Sequence, residues 1–362
     1  MKIGFVLLSP QDSPMPSTRV AVLNMLPFLR AAGFDPEVLG VEGQPGSSSH
    51  SLDPDLLAKQ GIRVVCFQKV NGPRTLEAVA QLRARGIRSV FIVCDLVDLD
   101  LVEATDATVI VTQFLKEQHP PPLWPKIHVV HDGIERPEVF KRDRRDDGGS
   151  HSRPLRAVLV TSANLERLPV LTVPPRWLEV RVVGKYWPYR GAGSRLKEAQ
   201  WTLRHQPDWR CRTQALRFLM CRRIHRIPWT AEGVYEELLH ADIGILPIDT
   251  PPNEGATGGL PTWQIKSENR LTLKMSVGLP VIATPIPAYE AVVEQGVNAV
   301  LASTQKEWIE ALDRLRDPQE RLRMGTAARA AVSRRFSMER QASLLIGVLR
   351  QVASCGECGA AT

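Results

Sequence analysis

The chain has 362 residues, 43% hydrophobic and 23% charged, a balance that can bury a sizeable core and excludes disorder as the main state. With 25 Gly and 28 Pro it is neither collagenous nor low-complexity, and at roughly 150 residues per domain the length predicts two domains. The formal charge of +7 is unevenly spread: residues 181–226 hold 12 Lys and Arg against only Glu198 and Asp208, a local +10 that leaves −3 for the rest and points to an anionic partner near one surface.

Residues 3–8 read as a buried strand, too short and wrongly flanked for a signal peptide, and no apolar run reaches about 18 residues, so a cytoplasmic protein is expected. A helix is predicted over 19–32, with Val20, Leu23, Leu26 and Leu29 on one face, Ser17 as its N-cap and Gly33 as its stop. Strands follow at 62–67, 89–94, 107–111 and 127–130, with a helix over 75–85. Such alternation with β-branched runs predicts an α/β fold with a parallel, doubly wound sheet. Between 136 and 154 the pattern breaks into a charged, Gly- and Ser-containing stretch that reads as a linker. The alternation then restarts, with strands at 155–160, 178–183, 224–228, 243–247 and 281–284 and helices at 194–205 and 212–223. From residue 307 onward only helices are predicted, over 307–314, 318–335 and 338–352. The expected organisation is a Rossmann-like domain at 1–140, a linker at 141–154, a second Rossmann-like domain at 155–335, and a helix with a flexible tail at 336–362. Cys66, Cys94, Cys211 and Cys221 are isolated and read as ordinary thiols. The pair Cys355 and Cys358 lies in a Gly/Ala tail with no second pair at ligand spacing, so a frayed end is expected in preference to a metal site.

The most specific stretch is Lys266-Ser-Glu-Asn-Arg270, followed by one amphipathic helix, the stop at Gly278, a buried strand and a Pro-rich turn ending near Tyr289 and Glu290. With the helix starting at Ser267, its free N–H groups and the donors of Lys266, Asn269 and Arg270 make a site for a diphosphate. This stretch resembles the second domain of GT-B glycosyltransferases, in particular the large retaining group called family 4. Three more segments carry the resemblance in order: residues 227–247, an Asp before an apolar strand ending in Pro; Ile127-His-Val-Val-His-Asp-Gly-Ile134, with His131 and Asp132 where the family's turn has Pro and Asn; and the closing helices from Arg323 to Glu339. One departure stands out, because Leu273 and Ile265 occupy the positions of the family's paired glutamates. A subgroup with a Lys-Ser-x-Asn-Lys/Arg loop is similar to what stands here.

What the resemblance implies is transfer of a sugar from a nucleotide-diphosphate sugar to an acceptor hydroxyl, with retention, and with no metal or bound cofactor. Donor-binding candidates are Thr161, Ser162, Gly184, Lys185, Trp229, Asn253, Glu254, Lys266, Ser267, Glu268, Asn269 and Arg270, most of them in loops that follow strands of the second domain, where ligands bind in open α/β sheets. Lys185 and Arg270 are candidates to clamp the leaving diphosphate. Trp229 either stacks on the base or is a core or lid residue. Arg19, opening its helix at the interdomain cleft, is a candidate for the donor phosphates or an anionic acceptor. Asp95 either accepts a hydrogen bond from the acceptor hydroxyl or caps the next helix. His119, His128 and His131 read as structural.

The basic stretch also carries Trp187, Trp201 and Trp209, with Trp177 and Trp229 flanking it. Three readings are open: a solvated basic face, a membrane surface, and, with no accompanying motif, nucleic acid, which is not expected. The acceptor class is open between glycan, lipid-linked and small-molecule hydroxyls. Two other functions share this pattern: a sugar-nucleotide epimerase, which needs extra acid/base residues in the donor crevice, and a non-catalytic polyanion-binding relative.

Overall fold

The computed structural model describes residues 1–42, 52–142, 148–150, 152–161, 174–184, 192–205, 208–250 and 259–354. In chain order the first elements are β1 (Lys2–Leu7), α1 (Pro16–Ala21), α2 (Leu26–Ala31), β2 (Asp35–Val41), α3 (Pro54–Lys59), β3 (Ile62–Gln68), α4 (Pro73–Ala84), β4 (Arg88–Val93), α5 (Leu99–Ala104), β5 (Ala107–Ile110), α6 (Gln113–Glu117) and β6 (Ile127–Val129). They are followed by β7 (Leu155–Val160), β8 (Leu178–Gly184), α7 (Ala192–His205), α8 (Trp209–Met220), β9 (Ile224–Pro228), α9 (Gly233–His240), β10 (Ile243–Leu246), α10 (Asn269–Ser276), β11 (Val281–Ala283), α11 (Pro287–Glu290), β12 (Val300–Leu301), α12 (Gln305–Arg314), α13 (Pro318–Ser333) and α14 (Met338–Ser354).

Two compact units result: unit 1 is Met1–Glu135 with Pro252–Asn269 and Arg334–Thr362, and unit 2 is Arg136–Pro251 with Arg270–Ser333. This differs from the expected organisation in two places. Residues 259–269 cluster with unit 1 because Ile265, with Leu260 against it, joins the core under α4 and α5. The closing helix is part of unit 1 as well: α14 lays Met338, Ala342, Leu345, Leu349 and Val352, at helical spacing, on the sheet face that holds Phe5 and Leu7.

Unit 1 has a six-stranded parallel sheet in the order β2-β1-β3-β4-β5-β6. Side chains alternate across it. Phe5, Leu7, Cys66 and Ile92 face α2 and α14, whereas Val6, Val65, Phe67, Phe91 and Val93 face α4, α5 and α6. Both faces are buried, which is why these strands read as continuous apolar runs. Unit 2 has the order β12-β11-β10-β7-β8-β9, again all parallel. Read from β9, that is the 3-2-1-4-5-6 order of the dinucleotide-binding Rossmann fold, with its switch point between β7 and β10.

Local differences have local causes. The helix expected over 19–32 begins at Pro16 and is interrupted at Val22, because Pro27 has no N–H for the carbonyl four residues back. Ser17 therefore lies inside α1 and does not cap it; Met15 is the capping position, and its N–H is held by Ser9 Oγ at 2.8 Å. Strands β2 and β12 were not expected. No helix among the described residues is long and apolar enough to cross a membrane.

Candidate active site

In unit 2 the sequence-derived candidates that fall within the described residues gather along the carboxyl edge of the sheet. Thr161 follows β7, Gly184 ends β8, and Trp229, next after β9, donates its backbone N–H to the Gly184 carbonyl at 2.9 Å. Loops after β10 and β11 are tied by Ile248 N–H to Thr284 Oγ1 at 3.0 Å. Arg270, the second residue of α10, reaches Thr161 Oγ1 with Nη1 at 3.5 Å, which brings its guanidinium to the strand next to the switch point. One turn later Lys274 is fully buried, its ammonium 3.3 Å from the Arg270 carbonyl oxygen. Burial, with the neighbouring Arg270 charge adding to it, pushes the Lys274 amine down to about 7. Ser162, Lys185, Asn253, Glu254 and the Cys355–Cys358 pair lie outside the described residues.

The helix start differs from expectation: α10 begins at Asn269, two residues beyond Ser267. The residues before it are engaged within unit 1. Lys266 Nζ stands 3.9 Å from an Asp95 oxygen, and the other Asp95 oxygen meets Lys69 Nζ at 2.6 Å. Asp95 thus neither caps α5, a task done by Asp98, nor stands alone at its strand end. Burial works to raise the Asp95 carboxyl, but the hydrogen bond and charge of Lys69, with Lys266 behind, outweigh it and hold the group below its usual range. Lys69 takes the left-handed conformation, φ 56°, uncommon for a residue with a side chain, and its N–H binds the Ile92 carbonyl at 2.9 Å.

Ser267 hydrogen-bonds Asp132, and Glu268 is 1% exposed with one oxygen 2.7 Å from His131 Nδ1. That contact is at ion-pair distance but off the hydrogen-bond axis, so both Glu268 oxygens are buried without an aligned donor. Burial pushes the Asp132 carboxyl up to about 7, the Glu268 charge adds to the push, and the Ser267 hydrogen bond opposes it. His131, expected to be a structural turn residue, is thus the basic member of a buried group with two carboxylates. Arg19 is held by Glu135 through two hydrogen bonds, 2.6 Å from Nε and 3.0 Å from Nη2, with Asn24 on the same carboxylate.

At this end of the unit 1 sheet a small pocket lies among Ser17, Met25, Lys69, Cys94, His131 and Asp132, with Val109, Val130 and Leu345 as apolar walls. Burial pushes the Cys94 thiol up, so it sits there as a thiol and not a nucleophilic thiolate.

The fold and the segment around α10 define a class. Residues 264–347 match the family model described as glycosyl transferase-like. Solved structures share the fold along nearly the whole chain. Anabaena HepE, solved in complex with UDP-glucose, has a TM-score of 0.66 at 14% identity, covering 97% of this chain and 100% of that one. Sucrose-phosphate synthase from Thermosynechococcus elongatus gives 0.67 at 12% identity, with 98% and 99% covered. A glycosyltransferase from Rickettsia africae gives 0.68 at 11% identity, with 97% and 98% covered. No curated protein matches the sequence. The chain has the GT-B fold, with a glycosyl transferase-like segment running from the loop before α10 into α14.

Proposed function

We propose that this protein is a glycosyltransferase that moves a sugar from a nucleoside-diphosphate sugar to an acceptor hydroxyl, with retention, in the manner of family 4. The observation that carries the reading is Arg270: a guanidinium at the carboxyl edge of a Rossmann-order sheet, inside the segment that matches the glycosyl transferase-like model. Glycosyl transfer leaves a diphosphate that gains negative charge as the sugar departs. A planar fork of N–H donors already aimed into that edge stabilises the developing charge with little reorganisation. Thr161 Oγ1 fixes the fork's approach, and the start of α10 is proposed to add backbone N–H donors to the anion. Gly184 and Trp229 form the neighbouring rim, with Trp229 the candidate cover for the base. Retention rests on the resemblance of residues 266–290 to the retaining group. The nucleotide sugar is a co-substrate and no resident cofactor is required.

Unit 1 is proposed to take the acceptor, in the pocket beside Asp132 and His131. HepE was solved with UDP and with UDP-glucose, so uridine donors are the first to try. The test is a thermal-shift screen of UDP, GDP, ADP and dTDP followed by donor hydrolysis, since a ligand bound only by the folded state raises the melting point. Stabilisation by one nucleotide, and hydrolysis or transfer that disappears in Arg270→Ala, is the expected result. No shift with any of the four, or full activity in Arg270→Ala, overturns the reading.

A further inference from the structure

Within the basic stretch, α7 and α8 pack on each other as a helical hairpin between β8 and β9 of unit 2. The four most exposed large hydrophobic side chains among the described residues all stand on it: Met220 (78%), Trp209 (76%), Leu196 (67%) and Trp201 (59%). On α8 the buried side is Ala215 and Phe218. At 3.6 residues per turn, Trp209, Leu216 and Met220 fall within about 40° of one another on the opposite side. Arg212 flanks that stripe on one side, and Arg217 and Arg210 flank it on the other, all three exposed. An ordinary surface helix turns its charges outward and its apolar residues inward. Here exposed Trp209 and Met220 stand at the two ends of the outer line with half-buried Leu216 between them, and the charges sit at its shoulders, in position to extend along the helix toward anionic groups lying on either side.

We propose that the α7–α8 hairpin docks this protein on an anionic lipid surface, with Trp209, Leu216 and Met220 entering the headgroup boundary and Arg210, Arg212 and Arg217 meeting lipid phosphates. Charge decides against a second copy of the chain as the occupant. Residues 192–223 carry eight Lys and Arg against Glu198 and Asp208, so two such faces brought together would repel. It also decides for lipid over nucleic acid. A polynucleotide would be met by the arginines and the tryptophans, but Met220 and Leu216 on the centre line have nothing to offer a phosphodiester, whereas a bilayer boundary removes them from water. The docking is peripheral, as no described helix is long and apolar enough to cross a bilayer.

The test uses the full chain in co-sedimentation with phosphatidylcholine vesicles, with and without phosphatidylglycerol, at low and high salt. Wild type is expected to sediment only with the anionic vesicles and to be released by salt. The double variant Trp209→Ser, Met220→Ser lowers the partition coefficient by roughly tenfold or more. The pair Arg212→Gln, Arg217→Gln lowers it by roughly fivefold per arginine, with the preference for phosphatidylglycerol lost. All four side chains are exposed, so both variants keep the wild-type melting temperature and its nucleotide response. Wild type that stays in the supernatant with anionic vesicles, or double variants that sediment unchanged, overturns the proposal. So does wild type that binds single-stranded RNA or self-associates through this face while ignoring vesicles.

Discussion

Gly244 on β10 makes room for Lys274 on α10: a Cβ at Gly244 would stand 2.9 Å from the lysine's Cδ and 3.2 Å from its Cβ. A glycine in a central strand weakens the strand, and its use here is to let the helix carry a buried lysine stem directly over the sheet. The ammonium at the end of that stem is the group that burial pushes down to about 7.

A stability profile follows. Below pH 7 Lys274 is charged in both the folded and the unfolded chain, and the folded state bears the full desolvation cost. Between about 7 and its ordinary value of 10.5 the unfolded chain binds more protons, so stability rises with pH. Lys274→Met is therefore expected to raise the melting temperature at pH 6, by a few kcal/mol of stability, with the gain vanishing toward pH 10.5. Melting curves of the two proteins across that range decide it; a gain that does not depend on pH would mean packing and not charge.

Gly244→Ala is expected to destabilise by about 1–3 kcal/mol. The added methyl meets Val281 Cγ2 at 3.2 Å as well as the lysine stem, so one flexible side chain cannot absorb it by itself. Denaturant melts read the effect. Combining it with Lys274→Ala should recover part of the loss, and a purely additive pair would show that the two residues do not share the space.

Asp132 runs the opposite way in pH. Its folded-state value near 7 lies above the ordinary 3.8, so the folded chain keeps a proton that the unfolded chain has lost, and stability falls as pH rises between the two. Asp132→Asn keeps an acceptor for Ser267 and is expected to match wild type near pH 4 and to exceed it above pH 7. Equal melting temperatures at pH 8 would show that the buried carboxylate is accommodated without cost.

Arg270→Lys separates a fork from a point charge. An ammonium cannot hold two phosphate oxygens in one plane, so turnover is expected to drop by about a hundredfold while nucleotide-free stability stays close to wild type. Single-turnover assays with the donor found by thermal shift measure it. Activity within a fewfold of wild type would remove the bidentate role from the proposed mechanism.

The parallel sheets were legible because strands buried on both faces are nearly continuous apolar runs, as in residues 62–67 and 89–94. Strand β2 was not, since it opens Asp35-Pro-Glu and lies at an edge, where composition carries little strand signal. The loop motif singled out Arg270, and the fold brings that residue to Thr161. The group of His131, Asp132 and Glu268 was not, because Glu268 comes back to the β6 end from a distant stretch of chain, and no local spacing announces a contact made by topology. Nothing in an amphipathic helix marks one of its lysines as buried, and the burial of Lys274 depends on a glycine in another element.

Unit 1 is closed by α14, which belongs to the far end of the chain, and this has a consequence for synthesis. The sheet from β1 to β6 leaves the ribosome with Phe5, Leu7, Cys66 and Ile92 covered only in part, on the side where Leu345 and Leu349 will later lie. A nascent chain arrested before Met338 therefore presents an open apolar face to chaperones and proteases, so the amino-terminal half is not a self-sufficient folding unit, although it is made first.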